Sequence, residues 1–445
     1  MIDFSDLKNN KLLAICASFV LAMGLVVVSV YSSALIAIGI FTGIISTLVI
    51  FTKPELGLYI LAAVVPIGRY TVPGLPFKMT LADIVIIMVF ISWIFRKLAY
   101  EKKYAVVKDK LFVLLILFTL FSGLSIYNSL NKMSSFFELI QTIEYYVIIP
   151  YLIFDLIKNI KQIKNILWIL AIFCGLFSLY GIYEGLIIGT RSTSIAGHPN
   201  AFGIYLAMII PVSYVLYLAE NNKTKKALLM GLLALSGATL LTTLSRAGWL
   251  AAFVGISIIS IKVGLKRSLI IGLVTLFALL IVGHFYMPEQ ISDRFETFTS
   301  DEKDTSGGRI DQYKNALGMI KAHPFLGVGM NQAIRYNEVV ETKGGPKIRA
   351  EMHNVYLAIA SERGLIALVF FLSFAAMYLS RLWHNSTFSN IYGVYFLAMF
   401  SASLAFLFGN MFHNSVGRGN GNLFMMIVGV ALALQGIYGE SHEEA

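Results

Sequence analysis

Residues 350–368 read AEMHNVYLAIASERGLIAL and join a long polar segment to an apolar run. His353 lies at this join and is followed by Asn354, and the charged pair Glu362 and Arg363 comes shortly before the apolar residues take over. A change from polar to continuously apolar sequence marks the start of a membrane span. The stretch therefore predicts a transmembrane helix whose entry carries a titratable side chain at the membrane surface.

The composition predicts that most of the chain lies in lipid. Of the 445 residues, 57% are hydrophobic and 13% are charged, with a mean hydropathy of +0.76, whereas soluble domains have about 25% charged residues. Cys16 and Cys174 both lie in apolar runs, so neither a disulfide framework nor a cysteine zinc site is expected. The first apolar run, Leu12 to Val30, is interpreted as a retained anchor because a second run follows at once and no small-residue cleavage site separates them.

Fourteen apolar runs approach the roughly 17–25 residues that a transmembrane helix needs. Two of them are short and could be re-entrant or tilted, so the predicted fold is an all-α, polytopic integral membrane protein with 12–14 transmembrane helices. The predicted spans lie near residues 12–31, 33–51, 56–68, 80–96, 111–127, 137–157, 164–188, 200–219, 228–244, 247–262, 267–286, 364–382, 391–411 and 421–438.

The distribution of lysine and arginine predicts how the chain is oriented. With the N-terminus inside, the inner segments hold 19 positive residues and the short outer loops hold six. The net charge of +10 is therefore attributed to the cytoplasmic membrane surface and not to nucleic acid. The predicted location is the cytoplasmic membrane, with the outer loops facing the periplasm.

One outer segment, residues 287–352, is too long to be a simple connector. It predicts a division of the chain into N-terminal transmembrane helices (1–286), one large extracytoplasmic loop with short helices (287–352) and C-terminal transmembrane helices (353–445). Within the loop, residues 309–321 are predicted to form an amphipathic helix, because apolar side chains recur there at helical spacing: Ile310, Tyr313, Leu317 and Ile320.

Three of the few arginines on the outer side stand next to predicted helix ends. Arg191 opens a turn-rich loop, Arg246 lies at a junction of two spans, and Arg309 begins the amphipathic helix. Guanidinium groups bind phosphate through paired hydrogen bonds and keep their charge, while a histidine such as His353 accepts protons near neutrality. Together they predict an anionic ligand and a reaction in which a hydroxyl attacks while a phosphate-bearing group leaves.

Each of these residues also has a purely structural interpretation. Arg246 could extend to the lipid headgroups, Arg191 and Arg309 could be solvated loop residues, and His353 could cap or anchor a span. Glu138 and other carboxylates near spans could mark an ion path or pair with neighbouring helices. No D-x-D occurs in an outer loop, and there is no P-loop and no H-E-x-x-H, so neither a metal nor a cofactor is predicted.

Further candidates come from two turn-rich outer segments. His198, beside Pro199 and Asn200, fits turn chemistry, and Asn200 is a candidate substrate-binding residue. His413 and Arg418 lie in the Gly- and Asn-rich segment NMFHNSVGRGNGN and are reserve candidates for substrate binding.

The order of four segments resembles the O-antigen ligase/polymerase superfamily of bacterial envelope enzymes. These segments are RSTSIAGHPNAFG from residue 191, LSRAGWLA from residue 244, SGGRIDQYKNALGMIKAHPFLGVGMN from residue 306 and HNVYLAIASERGLIAL from residue 353. The resemblance covers about residues 185–385. It implies a metal-independent, inverting membrane glycosyltransferase that takes a glycan from an undecaprenyl-pyrophosphate carrier at the outer face.

The resemblance also implies roles for individual residues. His353 would be the general base, Arg246 and Arg309 would hold the pyrophosphate with help from Arg191, and Asn354 would orient the histidine or a sugar. The expected function is that of an O-antigen ligase acting on lipid A-core, with a glycan polymerase or a protein O-oligosaccharyltransferase of the same family as alternatives. A lipid-linked sugar transporter and a non-catalytic assembly partner are the alternatives from other classes.

Overall fold

The computed structural model describes residues 34–67, 79–101, 109–264, 309–333, 339–340, 348–349, 352–414, 417 and 419–443. In these ranges the chain forms helices α1 (Ala34–Thr52), α2 (Pro54–Val64), α3 (Leu81–Arg96), α4 (Lys110–Leu124), α5 (Lys132–Ile143), α6 (Ile149–Leu156), α7 (Ile160–Ile182), α8 (Pro199–Ala219), α9 (Lys223–Thr242), α10 (Arg246–Val263), α11 (Arg309–Ala322), α12 (Val355–Glu362), α13 (Gly364–Asn385), α14 (Ile391–Gly409) and α15 (Asn420–Glu443). Two antiparallel strands, β1 (Val339–Val340) and β2 (Ile348–Arg349), pair Val339 with Arg349.

Short 3₁₀ and π-helical turns extend several of these helices. The 3₁₀ turns are Val65–Ile67, Ser125–Asn128 and Ser194–Ala196, and the π turns are Lys97–Glu101, Glu144–Ile148 and Tyr183–Ile188. The turn at Glu144–Ile148 joins α5 to α6, so the two helices together form one continuous membrane-spanning segment, Lys132–Leu156.

The predicted all-α, polytopic membrane fold is confirmed. Within the described residues nine helical segments are long and apolar enough to cross a membrane, and each coincides with one of the predicted spans. Helices α1, α2 and α3 coincide with three further predicted spans. The predicted spans at 12–31 and 267–286 lie outside the described residues.

Three helices form the centre of the bundle. In α8, α14 and α15 about four fifths of the most apolar window is buried (83%, 78% and 78%), against 22% in α9. A helix that is apolar all round and packed on all sides is a core helix. Helix α8 packs most extensively on α10 and α14. Packing on this buried helix therefore fixes the position of α10, whose first residue is Arg246.

Contacts between helix ends separate two faces of the bundle. One face, here called the site face, holds the end of α4, the beginnings of α8 and α10 and the beginning of α13. On the opposite face ion pairs join lysines and arginines to carboxylates: Lys97 to Asp155 at 2.9 Å, Lys164 to Glu220 at 3.5 Å and Arg381 to Asp109 at 2.6 Å.

The predicted helix at residues 309–321 is present as α11 (Arg309–Ala322). Of its predicted apolar positions, Tyr313 packs against the cluster of Ala316, Met352 and Ala358, whereas Leu317 is 51% exposed. The small side chain of Ala316 faces α12 and lets the two helices approach closely. The apolar spacing therefore predicted the helix but not every residue that packs.

A turn at residues 324–329 interlocks with the junction between α12 and α13. The amides of Val328 and Gly329 donate to the carbonyls of Ser361 and Glu362 at 2.9 and 3.0 Å, and the amide of Leu365 donates to Pro324 at 2.8 Å. The turn is also held from the α4–α5 side, where Asn128 donates to the carbonyl of Gly327, and Ser135 to that of Met330. The end of α12 is thus fixed between two distant parts of the chain.

Three glycines make this close packing possible. Gly327, Gly329 and Gly364 have positive φ values of 67°, 105° and 88°. A Cβ at Gly364 would contact the backbone of Phe325, and one at Gly329 would lie 2.6 Å from the Cβ of Ser129. Only glycine combines this conformation with the absence of a side chain.

We predict that Gly364→Ala destabilises the protein. An L-residue at this φ costs roughly 1–2 kcal/mol, and the added methyl group overlaps the Phe325 backbone. Thermal unfolding in detergent should show a clear loss, whereas Gly231→Ala, in a helical position with open space around it, should be neutral or slightly stabilising. Equal melting temperatures for Gly364→Ala and the wild type would contradict the interlock.

Candidate functional site

Arg191 ties its loop to the junction between α9 and α10. Its Nε donates to the carbonyl of Thr243 at 3.1 Å, and one terminal nitrogen donates to the carbonyl of Leu244 at 3.2 Å and to the side-chain oxygen of Asn200 at 3.3 Å. Leu244 has a φ of 51°, which is unusual for a residue with a side chain. The guanidinium thus holds a strained backbone immediately before Arg246.

The loop that carries Arg191 is anchored on both sides. The carboxylate of Glu184 accepts hydrogen bonds from the amides of Thr193 and Ser194 at 2.8 and 2.6 Å and from the Thr193 hydroxyl at 3.0 Å. The amide of Ser192 donates to the carbonyl of Thr242 at 3.0 Å. Glu184 lies in the π turn that ends α7, and π turns often occur at functional sites.

A close helix crossing places Arg246 at the site face. Ser245 caps α10 by accepting from the amide of Gly248 at 3.2 Å. A Cβ at Gly248 would lie 2.8 Å from the backbone of Gly203 in α8. Small residues at such a crossing let the two backbones touch, so the first turn of α10 is held against the core.

Three histidines from three separate segments form a stack, here called the histidine column. The rings of His198 and His413 have centroids 5.6 Å apart at an interplanar angle of 10°, and those of His413 and His353 are 5.9 Å apart at 21°. His198 also caps α8, its Nδ1 accepting from the amide of Asn200 at 3.2 Å. The small interplanar angles show that neighbouring rings of the column are nearly parallel.

His353 is seated by the cap of α12. The side-chain oxygen of Asn354 accepts from the amide of Leu357 at 3.0 Å, and its nitrogen donates to the carbonyl of Met411 at 3.0 Å. The backbone amide of His353 donates to the side-chain oxygen of Gln312 in α11 at 3.3 Å. Both ends of the Asn354 amide therefore hold the backbone around His353, which fits an orienting role.

These contacts connect residues that are far apart in the sequence. A continuous path runs from the junction at Leu244 through Arg191, Asn200, His198 and the rest of the histidine column to Gln312. Arg309 is the first residue of α11 and precedes Gln312 by three residues. Its side chain and the whole of Arg418 lie outside the described residues.

Beside the histidine column is a cavity of about 220 Å³, here called the acidic cavity. Its polar lining consists of two carboxylates, two amides and one guanidinium: Glu138, Glu362, Asn331, Asn414 and Arg363. Met352 is among its apolar lining residues. Met352 precedes His353 and Asn414 follows His413, so the cavity opens next to the column. Arg363 lies 3.5 Å from Glu138 and donates to the Thr142 hydroxyl at 3.1 Å.

The pKa of Glu362 is raised to about 7. Burial is the main cause because it disfavours the charged form, and the nearby negative charge of Glu138 acts in the same direction. The amide of Ala333, which donates to Glu362 at 2.9 Å, and the charge of Arg363 oppose the shift. A carboxyl group with this property in a cavity is a candidate for function.

We predict that Glu362 lowers stability as the pH rises from about 4.5 to about 7. In this range the folded protein keeps the Glu362 proton and the unfolded chain does not, so the stabilising contribution is present at low pH and is lost through the folded pKa. Glu362→Gln keeps an acceptor for Ala333 and removes the titration. Its melting temperature relative to the wild type should therefore be higher at about pH 8 than at about pH 5; a difference that does not change with pH would contradict the raised pKa.

The sequence left two features of the site unassigned. Glu362 and Arg363 were visible as a charged pair before an apolar run, but their cavity depends on Glu138, more than 200 residues away. Glu138 pairs with Arg363 from a neighbouring helix, one of the two interpretations that the sequence allowed. The sequence marked His198 as a turn residue and His413 as a reserve candidate, but their stacking with His353 gave no sequence signal, because it joins residues from separate segments.

Residues 231–372 match the family model described as O-antigen ligase. The matched range contains Arg246, Arg309, His353 and Glu362. Arg191 and His198 precede the range, and His413 follows it. The resemblance found in the sequence motifs is thereby confirmed over these residues. A comparison with curated proteins found no match.

Proposed function

We propose that this protein is a membrane glycosyltransferase of the ligase type, since residues 231–372 match the family model described as O-antigen ligase. It transfers a glycan in one piece from an undecaprenyl-pyrophosphate carrier to an acceptor hydroxyl. The observation that carries the proposal is the path of direct contacts on the site face from the Arg246 junction to His353.

The reaction needs one bond to form and one to break. The acceptor oxygen attacks the anomeric carbon of the glycan, and the bond from that carbon to the carrier pyrophosphate breaks, so the configuration inverts. His353 takes the proton of the attacking hydroxyl as general base. The leaving pyrophosphate gains negative charge, which Arg246 and Arg309 stabilise through guanidinium hydrogen bonds.

The other basic and polar residues have supporting roles in this proposal. Arg191 keeps the Arg246 junction in place, since it donates hydrogen bonds to the backbone carbonyls of Thr243 and Leu244 there and to the side chain of Asn200. Asn354 orients His353 through the cap of α12. His413 supports the His353 ring by stacking, and Arg418 remains a candidate for binding the donor.

The proposed location is the cytoplasmic membrane, with the site face toward the periplasm. The arrangement of charge supports this orientation. Lysines and arginines concentrate in segments that end at the opposite face, as the positive-inside rule requires of a cytoplasmic side. A site on the outer face would meet donors after their carriers have been flipped across the membrane.

The proposed acceptor is lipid A-core, which distinguishes a ligase from a polymerase. The direct test gives purified protein a lipid-pyrophosphate glycan together with lipid A-core, a second carrier-linked repeat or an unfolded Ser/Tyr-rich protein, in EDTA because the mechanism uses no metal. Transfer to lipid A-core supports the ligase, and transfer to the second repeat or to protein identifies the other family functions. Movement of the intact donor across sealed vesicles without transfer would favour a transporter.

We predict that His353→Ala lowers glycan transfer by about 10²–10⁴-fold, the usual contribution of a general base. Folding should be intact, as judged by the melting temperature and by gel filtration. The matched control is His384→Ala, at the far end of α13 on the opposite face, which should leave transfer unchanged. A fully active His353→Ala protein would remove the proposed base.

We predict that Arg246→Lys also impairs transfer although it keeps the positive charge. Lysine lacks the planar pair of donors that matches a phosphate, and losing one stabilising donor costs roughly 10²–10³-fold in rate. The effect should appear in the rate of donor cleavage. Arg96→Lys, on an exposed side chain of the opposite face, is the control; equal activity of Arg246→Lys and the wild type would contradict the assignment.

A further inference from the structure

The site face divides into two parts of opposite character on either side of the histidine column. Arg191 and Arg246 lie toward the His198 end of the contact path. The acidic cavity lies beside the His353 end, where Met352 and Asn414 line it. An anionic donor suits the basic part, so the acidic cavity is free for a different ligand.

The acidic cavity offers mainly hydrogen-bond acceptors to a ligand, because its one positive side chain is already engaged. Arg363 is only 8% exposed, and its guanidinium is engaged by Glu138, by the Thr142 hydroxyl and by the ring of Phe118, 5.5 Å away. Its charge is therefore largely balanced by Glu138. The remaining carboxyl group, that of Glu362, has one oxygen hydrogen-bonded to the Ala333 amide.

Two buried amides near the cavity have hydrogen-bonding capacity that no described residue meets. Gln332 is completely buried, lies between the cavity-lining residues Asn331 and Ala333, and has no partner for its Oε1. Gln312 is 2% exposed, holds the His353 backbone, and has no partner for its Nε2. Buried polar atoms are nearly always paired, so we expect water at these two positions, which lie beside the cavity lining and are not part of it.

We propose that the acidic cavity is the subsite for the acceptor sugar, and that Glu362 and Glu138 determine which sugar it takes. This inference rests on the proposed function. The carboxylates accept hydrogen bonds from sugar hydroxyls, while Ala358 and Ile359 offer an apolar surface to the C–H face of the ring. The Glu362 carboxylate repels phosphate when it is ionised, so above about pH 7 the subsite takes a neutral or amine-bearing sugar and rejects a phosphorylated one.

The size and position of the cavity fit one sugar ring. Its volume of about 220 Å³ is below the ~300–1,000 Å³ of pockets for drug-sized ligands. Helix α12 spans the cavity from beside His353 to Glu362, a distance of roughly 12 Å at 1.5 Å per residue. One sugar ring is shorter than this distance, so the acceptor extends along α12 from the ring held at Glu362, and its reacting hydroxyl lies at the His353 end, while the donor arrives from the arginine side.

Binding of simple sugars tests the subsite without any donor. Purified protein is titrated by saturation-transfer NMR with methyl β-glucoside, methyl β-glucosaminide and glucose 6-phosphate. The wild type should bind at least one of the two methyl glycosides with a dissociation constant of about 1–10 mM, and glucose 6-phosphate at least tenfold more weakly. Glu362→Gln should weaken glycoside binding at least fivefold, and Glu220→Gln, a carboxylate on the opposite face, should not change it.

Kinetics of transfer provide the second readout. Glu362→Gln should raise the KM for the acceptor at least tenfold and leave the KM for the lipid-linked donor within twofold. Asn414→Ala, an exposed loop change at the cavity, should raise the acceptor KM in the same direction and cannot act through the core. If Glu362→Gln fails to fold, the acceptor KM of Asn414→Ala tests the subsite in its place.

The two proposals fail in different ways. A wild-type protein that binds a methyl glycoside but transfers nothing from any lipid-pyrophosphate glycan would contradict the proposed function and leave the sugar subsite standing. The subsite is overturned if the wild type binds neither methyl glycoside. It is also overturned if the wild type and Glu362→Gln have equal glycoside binding and equal acceptor KM.

Discussion

The interlock between the turn at residues 324–329 and the junction of α12 with α13 is the constraint on which the site depends. Three backbone hydrogen bonds of 2.8–3.0 Å join these segments, and glycines allow the backbones to touch. The bonds fix the end of α12 at Glu362, and the Asn354 cap fixes its beginning at Val355, two residues after His353. A short, rigid helix therefore sets the spacing between the proposed base and the proposed acceptor carboxylate, as functional groups on rigid elements require.

The histidine column joins this helix to the rest of the site face. His198 belongs to the segment that Arg191 ties to the Arg246 junction, and His413 lies between His198 and His353. Side-chain contacts thus attach the basic and acidic parts of the face to one another. In the proposed reaction, these contacts would hold the donor and acceptor parts of the site in a fixed relation at His353, and such positioning lowers a reaction barrier.

Most of the fold could be predicted from the sequence, because hydropathy and charge report directly on the membrane. In the part of the chain that the structure describes, nine apolar helices follow their predicted spans, and α11 matches the helix that its apolar spacing indicated. That spacing did not indicate every packed residue of α11, since Ala316 packs against α12 whereas Leu317 is exposed. The acidic cavity and the histidine column depend on tertiary contacts between residues such as Glu138 and Arg363, which no local pattern records.

The most direct test of the central claim is a cryo-electron microscopy structure of the protein with undecaprenyl pyrophosphate bound. The account predicts pyrophosphate density on the site face, in contact with the guanidinium groups of Arg246 and Arg309 and opening toward His353. Density held by the lysines of the opposite face, or away from both arginines, would contradict it.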